Sequence, residues 1–180
     1  IPKKNIKSFL GQPIIGYSIN AALKSKLFDE VMVSTDDSEI INISKSLDAK
    51  VPFIRTNNNS DDFTTIYDVI KEVLFSYKKL NRVFKYLCCI YPTAPFVTPK
   101  ILHKAKNLLK KPKINCVLPI TPNSYPIQRA LKINNNRITM MWPENVTVRS
   151  QDLETTYHDS GLFFCAKVSS FLKNNNVFTK

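Results

Sequence analysis

The sequence predicts an α/β fold in which a mostly parallel sheet lies between two layers of helices. Its first half alternates short apolar runs of strand length with stretches in which apolar residues recur at helical spacing. The apolar runs show no polar alternation, which is typical of parallel strands buried on both faces. The strands are predicted at residues 30–35, 51–54 and 86–91, and the helices at residues 14–23, 38–47, 66–74 and 99–110.

Local signals mark where two of these helices begin. Pro13 suits a first helical turn, because the N–H that proline lacks would have no partner there. Ser38 is predicted to cap the second helix, since its hydroxyl can accept a hydrogen bond from an unpaired backbone N–H.

The second half changes to short strands, predicted at residues 116–120, 127–133, 138–142 and 162–166. Asn134, Asn135 and Asn136 join the middle two, and asparagine tolerates the positive φ that a tight hairpin requires. No internal repeat or linker divides the sequence, so we expect a single domain over residues 1–180.

Composition excludes several classes of protein. The 43% hydrophobic and 22% charged residues are globular values and exclude a disordered chain. The apolar runs are too short to cross a bilayer, so we expect no membrane partner. With only Gly11, Gly16 and Gly161, these residues cannot build a glycine-rich phosphate loop of the Walker or Rossmann type.

The four cysteines show no zinc-binding spacing. Cys88 and Cys89 are neighbours in an apolar run, so their side chains are expected on opposite faces of a strand. We interpret the cysteines as buried thiols in a reducing compartment and expect a cytoplasmic protein.

The formal net charge of +12 leaves a second class of function open, because basic chains often bind nucleic acid. However, 21 of the 26 basic residues are lysine and 17 residues are asparagine. A bias towards Lys, Asn and Ile is typical of an AT-rich genome and is not specific to a phosphate-binding surface. We therefore expect no nucleic-acid partner, and a basic nucleic-acid-binding module stays the alternative from another class.

Three polar loops follow predicted strands, at residues 34–37 (STDD), 55–65 and 91–95 (YPTAP). Ligands bind beyond the carboxyl ends of parallel strands, so the three loops are expected to form one rim. Arg55 opens the second loop, and its fork-shaped cation suits a phosphate, a carboxylate or a base edge.

Other residues of these loops keep two interpretations. Asp36 and Asp37 could bind a cation or a sugar hydroxyl, or they could cap the helix that follows. The same two interpretations hold for Asp61 and Asp62. Thr93 stands between two prolines, either as a ligand-binding hydroxyl on a stiff loop or as part of a simple turn.

A fourth polar cluster precedes the predicted strand at residues 162–166. It contains Arg149, Gln151, Asp152, Tyr157, His158 and Asp159. A purely structural loop rarely needs so many hydrogen-bonding groups, so the cluster predicts a second binding region. His158 by itself is interpreted as structural, and His103, in a lysine-rich helix, as facing solvent.

Six parts of the sequence resemble the acylneuraminate cytidylyltransferase family in order and spacing. They are residues 1–5 (IPKKN), 29–37 (DEVMVSTDD), 60–64 (SDDFT), 91–95 (YPTAP), 128–132 (QRALK), and 149–154 with 157–161 (RSQDLE, YHDSG). Each is weak alone, but the six in order are specific. The similarity runs to about residue 171 and is greatest to the pseudaminic acid branch.

The resemblance implies a Rossmann-like (GT-A-like) nucleotidyltransferase fold, a three-layer sandwich with a β-hairpin insertion for dimerisation. It implies that CTP and a nine-carbon acidic sugar give the CMP-sugar and pyrophosphate with Mg²⁺. The anomeric hydroxyl attacks the α-phosphorus, while the protein positions the reactants and neutralises charge. A homodimer is implied by the resemblance alone. The alternatives are a CMP-sialic or CMP-legionaminic acid synthetase and an inactive nucleotide-binding paralogue.

The resemblance also implies roles for individual residues. Lys4 would act at the CTP phosphates as the catalytic cation, Asn5 would bind the nucleotide, and Arg55 and Thr64 the cytosine end. The residues expected to bind the sugar acid are Tyr91, Thr93, Gln128, Arg129, Arg149, Gln151, Tyr157 and Asp159. An arginine can hold both oxygens of a sugar carboxylate.

Two departures from the family pattern matter. Sialic acid members carry Gln where this chain has Tyr91, and Lys near Gln128, which favours a differently configured sugar. The glycine-rich loop of the family would precede Ile1, and its acidic metal motif would follow Lys180. We therefore expect the N-terminal strand and the main Mg²⁺ ligands outside residues 1–180, and no metal ligand within them.

Overall fold

The computed structural model describes residues 3–61 and 63–174. The chain divides into two compact units, Ile1–Leu118 with Gly161–Lys180, and Pro119–Ser160. The second unit is therefore an insertion in the sequence of the first. The expectation of a single domain stays a prediction, since one domain can carry a compact insertion.

Most helices and strands belong to the larger unit. Its strands are β1 (Ser8–Phe9), β2 (Gln12–Pro13), β3 (Tyr86–Ile90), β4 (Cys116–Val117) and β9 (Phe163–Lys167). Its helices are α1 (Ile15–Ser25), α2 (Ser38–Ser46), α3 (Ile66–Lys79), α4 (Pro99–Leu109) and α5 (Val168–Asn174). The strands of the smaller unit are β5 (Ile120–Pro122), β6 (Leu131–Asn134), β7 (Arg137–Met140) and β8 (Tyr157–Asp159).

The central sheet of the larger unit has the strand order β3-β9-β4, and β9 is antiparallel to both neighbours. Among the described residues, parallel pairing occurs only at an isolated bridge between Met32 and Lys50. The prediction of a mostly parallel sheet is therefore corrected. Unbroken apolar runs report burial on both faces, and an antiparallel strand covered by helices on both faces carries the same pattern.

The strands predicted at residues 30–35 and 51–54 are reduced to that bridge. Lys50 N donates to Val31 O at 2.9 Å, and Val33 N donates to Lys50 O at 2.9 Å. The two segments therefore run in parallel next to each other, over a pairing that is only one bridge long.

Helices cover both faces of the central sheet, which gives the larger unit three layers. Phe163 and Cys165 of β9 pack in a core with residues of α1 and α4. Phe164 and Ala166 point to the other face and pack with Phe171 of α5 and with residues of α3. Cys88 and Cys89 divide between the same two cores, so the prediction that they face opposite ways is confirmed.

The helix starts differ from two of the predictions. The side chain of Asp37, not that of Ser38, caps α2, and it accepts from Glu39 N at 2.7 Å and from Ile40 N at 3.1 Å. A carboxylate is a stronger acceptor for these N–H groups than a hydroxyl. Pro13 lies in β2, and α1 begins two residues later, at Ile15.

The smaller unit contains two antiparallel pairs, β5 with β8 and β6 with β7. The β6–β7 hairpin turns at Asn135 (φ 49°) and Asn136 (φ 57°), which confirms the predicted asparagine turn. Residues 127–129 form a 3-10 turn instead of the predicted start of a strand. In the described parts of both units, no helix has the length and apolar character needed to cross a membrane.

A buried carboxylate joins several segments of the larger unit. The side chain of Glu30 is only 4% exposed, and it accepts hydrogen bonds from Tyr77 Oη at 2.6 Å, from Arg82, and from Lys50 Nζ at 3.4 Å. Burial alone would raise the pKa of Glu30, but the three hydrogen bonds outweigh burial and lower it. Arg82 also stacks on the rings of Tyr77 and Phe84.

We expect Glu30→Gln to lower the free energy of unfolding by about 2 kcal/mol, because a donor then faces Arg82 in place of an acceptor. Since the folded-state pKa of Glu30 is lowered, this contribution is present above a pH of about 4.3 and is lost as the pH falls through the folded-state value. Urea unfolding from pH 7 to pH 3 measures it, with the exposed Glu39→Gln as control. Equal effects of the two variants at pH 7 would contradict the expectation.

Candidate active site

One cavity of about 890 Å³ lies within the larger unit. At its polar end it is lined by Asn5, Ser34, Thr35, Asp36, Asp37, Arg55, Tyr91 and Pro92. Its remaining walls are mostly apolar and come from α1, α3, α4 and the strand β3. The three loops that were predicted to share a rim therefore line a single cavity.

Asn5 lines the cavity and carries a buried polar atom that has no hydrogen-bond partner among the described residues. It lies in a 3-10 turn (Lys4–Ile6), and its Oδ1 is buried without a hydrogen-bond partner among the described residues. A buried acceptor without a donor is costly, so this oxygen marks a place where a ligand donor would be stabilising. Lys4, beside it, is exposed and is not one of the lining residues.

Arg55 is fixed to the first rim loop by its backbone and by its side chain. Its backbone N–H donates to Thr35 O at 3.1 Å. Its Nε donates to Ser34 Oγ at 3.1 Å, and its Nη2 donates to Ser34 O. The guanidinium therefore lies at the polar end of the cavity in a defined orientation, which favours the ligand-binding interpretation.

Asp61 organises the second rim loop. Its Oδ1 accepts from the backbone N–H groups of Phe63 and Thr64, at 3.0 and 2.7 Å, and from Thr64 Oγ1 at 2.6 Å. The Thr64 hydroxyl and then these backbone groups lower the pKa of Asp61. Thr64 thus turns towards its own loop and does not line the cavity. Asp62 lies outside the described residues.

The two interpretations of Asp36 and Asp37 separate in the structure. Asp37 is the cap of α2, so the structural interpretation is confirmed for it. Asp36 lines the cavity without a capping role and keeps the ligand-binding interpretation. The buried Thr35 stiffens the loop, because its Oγ1 accepts from Asp37 N at 3.2 Å.

The third rim loop is anchored to α1. Ser18 Oγ donates to Tyr91 O at 2.8 Å, and Tyr91 lines the cavity. Ala94 is completely buried below the loop. Thr93 is exposed in a turn and is not a lining residue, so the stiff loop brings Tyr91 to the cavity but not the threonine hydroxyl.

The remaining predicted residues belong to the smaller unit. Arg149 donates to Asp152, from Nε at 2.7 Å and from Nη2 at 3.2 Å, and its side chain is 72% exposed. Gln151 lies in the same 3-10 turn and is exposed. Tyr157 and Asp159 lie on β8, also exposed. The Nε and Nη2 groups of Arg149 are thus both hydrogen-bonded to the carboxylate of Asp152.

Gln128 and Arg129 brace the segment that carries Arg149. Gln128 Nε2 donates to Glu154 O at 3.0 Å, and Arg129 donates to the carbonyl oxygens of Val148 and Val146. Gln128 Oε1 and Arg129 Nε are buried and have no partner among the described residues. His158 contacts its neighbour Asp159 O at 2.8 Å, and the exposed His103 contacts Ser25 O at 3.0 Å.

The described residues contain no cluster of metal ligands, and two of the cysteines are protonated thiols. In residues 3–61 and 63–174, no group of three or more His, Cys, Asp or Glu side chains could hold a metal ion. The residues present therefore do not by themselves fit a Mg²⁺ site. Burial raises the pKa of Cys89 to about 12 and that of Cys116 to about 11, so these thiols stay protonated at neutral pH.

Sequence reasoning missed one residue of this region, Glu72. It accepts hydrogen bonds from Thr56 and Asn59, in the loop that follows Arg55. Its position within the amphipathic helix α3 gave no signal, because an isolated glutamate in a helix usually faces solvent.

Solved structures share the fold of this chain. One solved neighbour is CMP:2-keto-3-deoxy-manno-octonic acid synthetase complexed with CTP (TM-score 0.69, 14% identity, all of this chain and 73% of that chain). Another is 4-diphosphocytidyl-2C-methyl-D-erythritol synthase from Anaerococcus prevotii (TM-score 0.61, 16% identity, 98% and 74% covered). At these identities the likeness shows the fold alone.

The chain belongs to the cytidylyltransferase family, whose family model matches residues 1–178. It is 38% identical, over 99% of its length and 77% of the relative, to pseudaminic acid cytidylyltransferase from Campylobacter jejuni. It is 29% identical, over 61% of its length and 47% of the relative, to CMP-N,N'-diacetyllegionaminic acid synthase from Legionella pneumophila. The predicted family is confirmed, and the chain is a nucleotidyltransferase.

Proposed function

We propose that this protein transfers CMP from CTP to pseudaminic acid or a close nine-carbon relative. The anomeric hydroxyl of the sugar attacks the α-phosphorus, the bond from that phosphorus to the β-phosphate bridging oxygen breaks, and pyrophosphate leaves. The observation that carries the proposal is the 38% identity, across 99% of the chain, to a pseudaminic acid cytidylyltransferase. Identity to the legionaminic acid synthase is lower and covers less of the chain, which makes its substrate the second candidate.

The nucleotide is proposed to bind at the polar end of the cavity. Asn5 offers a buried acceptor without a partner there, and Arg55 offers a cation held in place by Ser34. A cytosine amino group is a donor that suits the first, and a phosphate or base oxygen suits the second. Lys4, exposed next to Asn5, is proposed to neutralise the CTP phosphates, and Thr64 stays a candidate contact for the cytosine end.

Tyr91 and Thr93 of the third rim loop are proposed as contacts of the sugar acid. Six residues of the smaller unit are proposed as such contacts independently. Those residues are Gln128, Arg129, Arg149, Gln151, Tyr157 and Asp159. Their side chains supply both donors and acceptors, as a polyhydroxylated acid requires. Arg149 is the favoured partner for the carboxylate, because an exposed ion pair is weak and its guanidinium can exchange the carboxylate of Asp152 for that of the sugar acid.

Mg²⁺ stays part of the proposal as the cofactor, with its main ligands outside residues 1–180. Among the described residues of the rim loops, Asp36 is the carboxylate that lines the cavity and does not cap a helix. The four cysteines are all unpaired as disulfides, which suits the reducing cytoplasm where we place the reaction.

We propose that a further strand, from sequence outside residues 1–180, fills the apolar part of the cavity. Lys85 O accepts from Val168 N, and Tyr91 N donates to Leu162 O, so the odd-numbered residues of this segment are hydrogen-bonded to the chain at β9. The backbone N–H and C=O groups of Tyr86, Cys88 and Ile90 therefore point away from β9. Residues 31 and 33 pair with Lys50, so the backbone of Met32 likewise points away from it. An extended strand between these two edges would pair with both.

A homodimer is proposed to form through the β6–β7 hairpin. Leu131, Ile133, Ile138 and Met140 share one face of this two-stranded ribbon, and the first three are 59%, 71% and 65% exposed. An isolated two-stranded ribbon is marginally stable, and an apolar face of this kind needs a cover. A second copy of the hairpin presents the same apolar face and is the proposed cover.

We expect the full-length protein to bind CTP at least about tenfold more tightly than UTP or ATP, since a few buried hydrogen bonds to the base suffice for that ratio. Arg55→Ala should remove most of the preference while leaving the fold intact. Isothermal titration with the three nucleotides measures it. Equal affinities for all three in the wild-type protein would overturn the proposed function.

We expect Arg149→Ala to weaken binding of the sugar acid by about 30- to 1000-fold, because a two-pronged, charge-assisted contact is lost. CTP affinity should stay within about threefold. Asp152→Ala is the matched control, since it also breaks the internal ion pair but leaves the arginine. If both variants lose sugar binding alike, Arg149 acts only as a brace of its turn.

We expect Ile133→Glu to convert the dimer to a monomer, because it buries a charge against the partner hairpin. Lys132→Glu, on the opposite face of the same strand, should leave the dimer unchanged. Sedimentation velocity at micromolar concentration measures both. A wild-type protein that is already monomeric, or an Ile133→Glu variant that stays dimeric, would exclude this interface.

A further inference from the structure

Glu72 of α3 ties the beginning of the second rim loop to the helix layer. It accepts from Thr56 N at 2.8 Å, from Thr56 Oγ1 at 3.2 Å, and from Asn59 Nδ2. Thr56 directly precedes the 3-10 turn Asn57–Asn59, and Asn59 ends it. One carboxylate therefore holds both ends of the turn that connects Arg55 to residues 60–64.

The charge of Glu72 acts on the same region. Burial would raise its pKa, but the hydrogen bonds from Asn59 and Thr56 outweigh burial and lower it, and the positive charge of Arg55 acts in the same direction. The group is thus an anion at neutral pH, close enough to Arg55 for their charges to interact. Ser34 holds the guanidinium, and Glu72 holds Thr56, the residue that directly follows Arg55 in the chain.

In the described part of residues 56–64, little of the loop is buried. Residues 56–58 are exposed, and Phe63 is 92% exposed. Its internal bonds, such as Ser60 N to Asn57 O at 3.2 Å, connect the loop to itself and not to the core. Glu72 therefore attaches the loop to the rigid helix α3. Binding groups that a rigid element holds in place lose less conformational entropy when a ligand binds.

We infer that Glu72 is a positioning residue that fixes Arg55 and the loop at residues 56–64 for recognition of the pyrimidine nucleotide. The inference rests on the proposed function, since it assigns Glu72 to the nucleotide side of that reaction. It assigns Glu72 to the support of the second rim loop, whereas the proposed sugar residues belong to the third rim loop and to the smaller unit. It also gives the loop a role beyond connecting two elements of the fold.

Two variants and one control test the inference. Glu72→Ala removes all three acceptor contacts, whereas Glu72→Gln keeps an acceptor for Thr56 N but loses the charge. Lys71→Gln, one residue earlier on α3, also removes a charge, and the contact of Lys71 is with the ring of Tyr67 at 5.8 Å. Neither Lys71 nor Tyr67 belongs to the proposed binding machinery.

We expect the KM for CTP to rise about tenfold in Glu72→Ala and about threefold in Glu72→Gln, with kcat and the KM for the sugar acid within about twofold. The preference for CTP over UTP should fall in the same order. Lys71→Gln should match the wild-type protein in each measurement. Hydrogen exchange at the amide of Thr56 gives an independent readout, and its protection should be lost in Glu72→Ala only.

The outcomes distinguish this inference from the proposed function. If the wild-type protein has no preference for CTP, the proposed function fails. The exchange data then show only whether Glu72 holds the backbone of Thr56 in place. If the wild-type protein prefers CTP and Glu72→Ala loses Thr56 protection without any change in the KM for CTP, the positioning role is overturned. Equal losses for CTP and the sugar acid would show a general loss of structure and would likewise overturn it.

Discussion

The larger unit depends on the position of β9 between β3 and β4. Phe163, Phe164, Cys165 and Ala166 are each 6% exposed or less, and they alternate between the two cores that attach the helix layers. A slip of one residue would send each of these side chains to the opposite face. The same ladder sets where β3 ends, and hence where the third rim loop begins: Tyr91 N donates to Leu162 O just beyond the strand.

The rim loops take their positions from this framework through a small number of polar contacts. Tyr91 is held by Ser18 of α1, Arg55 by Ser34, and the segment after Arg55 by Glu72 of α3. Each contact joins a loop to a helix or to a neighbouring loop. Binding groups that are held in this way lose little freedom when a ligand arrives, which is a general condition for tight and selective binding.

The sequence predicted burial and helical faces better than strand direction and side-chain contacts. The helices predicted at residues 66–74 and 99–110 form as α3 (Ile66–Lys79) and α4 (Pro99–Leu109), because apolar spacing reports directly on a buried helical face. The antiparallel course of β9 could not be predicted, since a strand covered on both faces has the same apolar pattern in either direction. Residue type likewise could not show that Arg129 donates to the carbonyl oxygens of Val146 and Val148.

The hydrogen bonds of the arginines help to explain what the net charge of +12 can do. Arg55, Arg82, Arg129 and Arg149 all donate to groups of the chain itself. Each of these four guanidinium groups is therefore held in a defined orientation. The surplus charge is mainly lysine, which attracts anions without fixing their orientation. Such a field suits small, highly charged substrates such as a nucleoside triphosphate and a sugar acid, whose orientation is then set by the tethered groups at the rim.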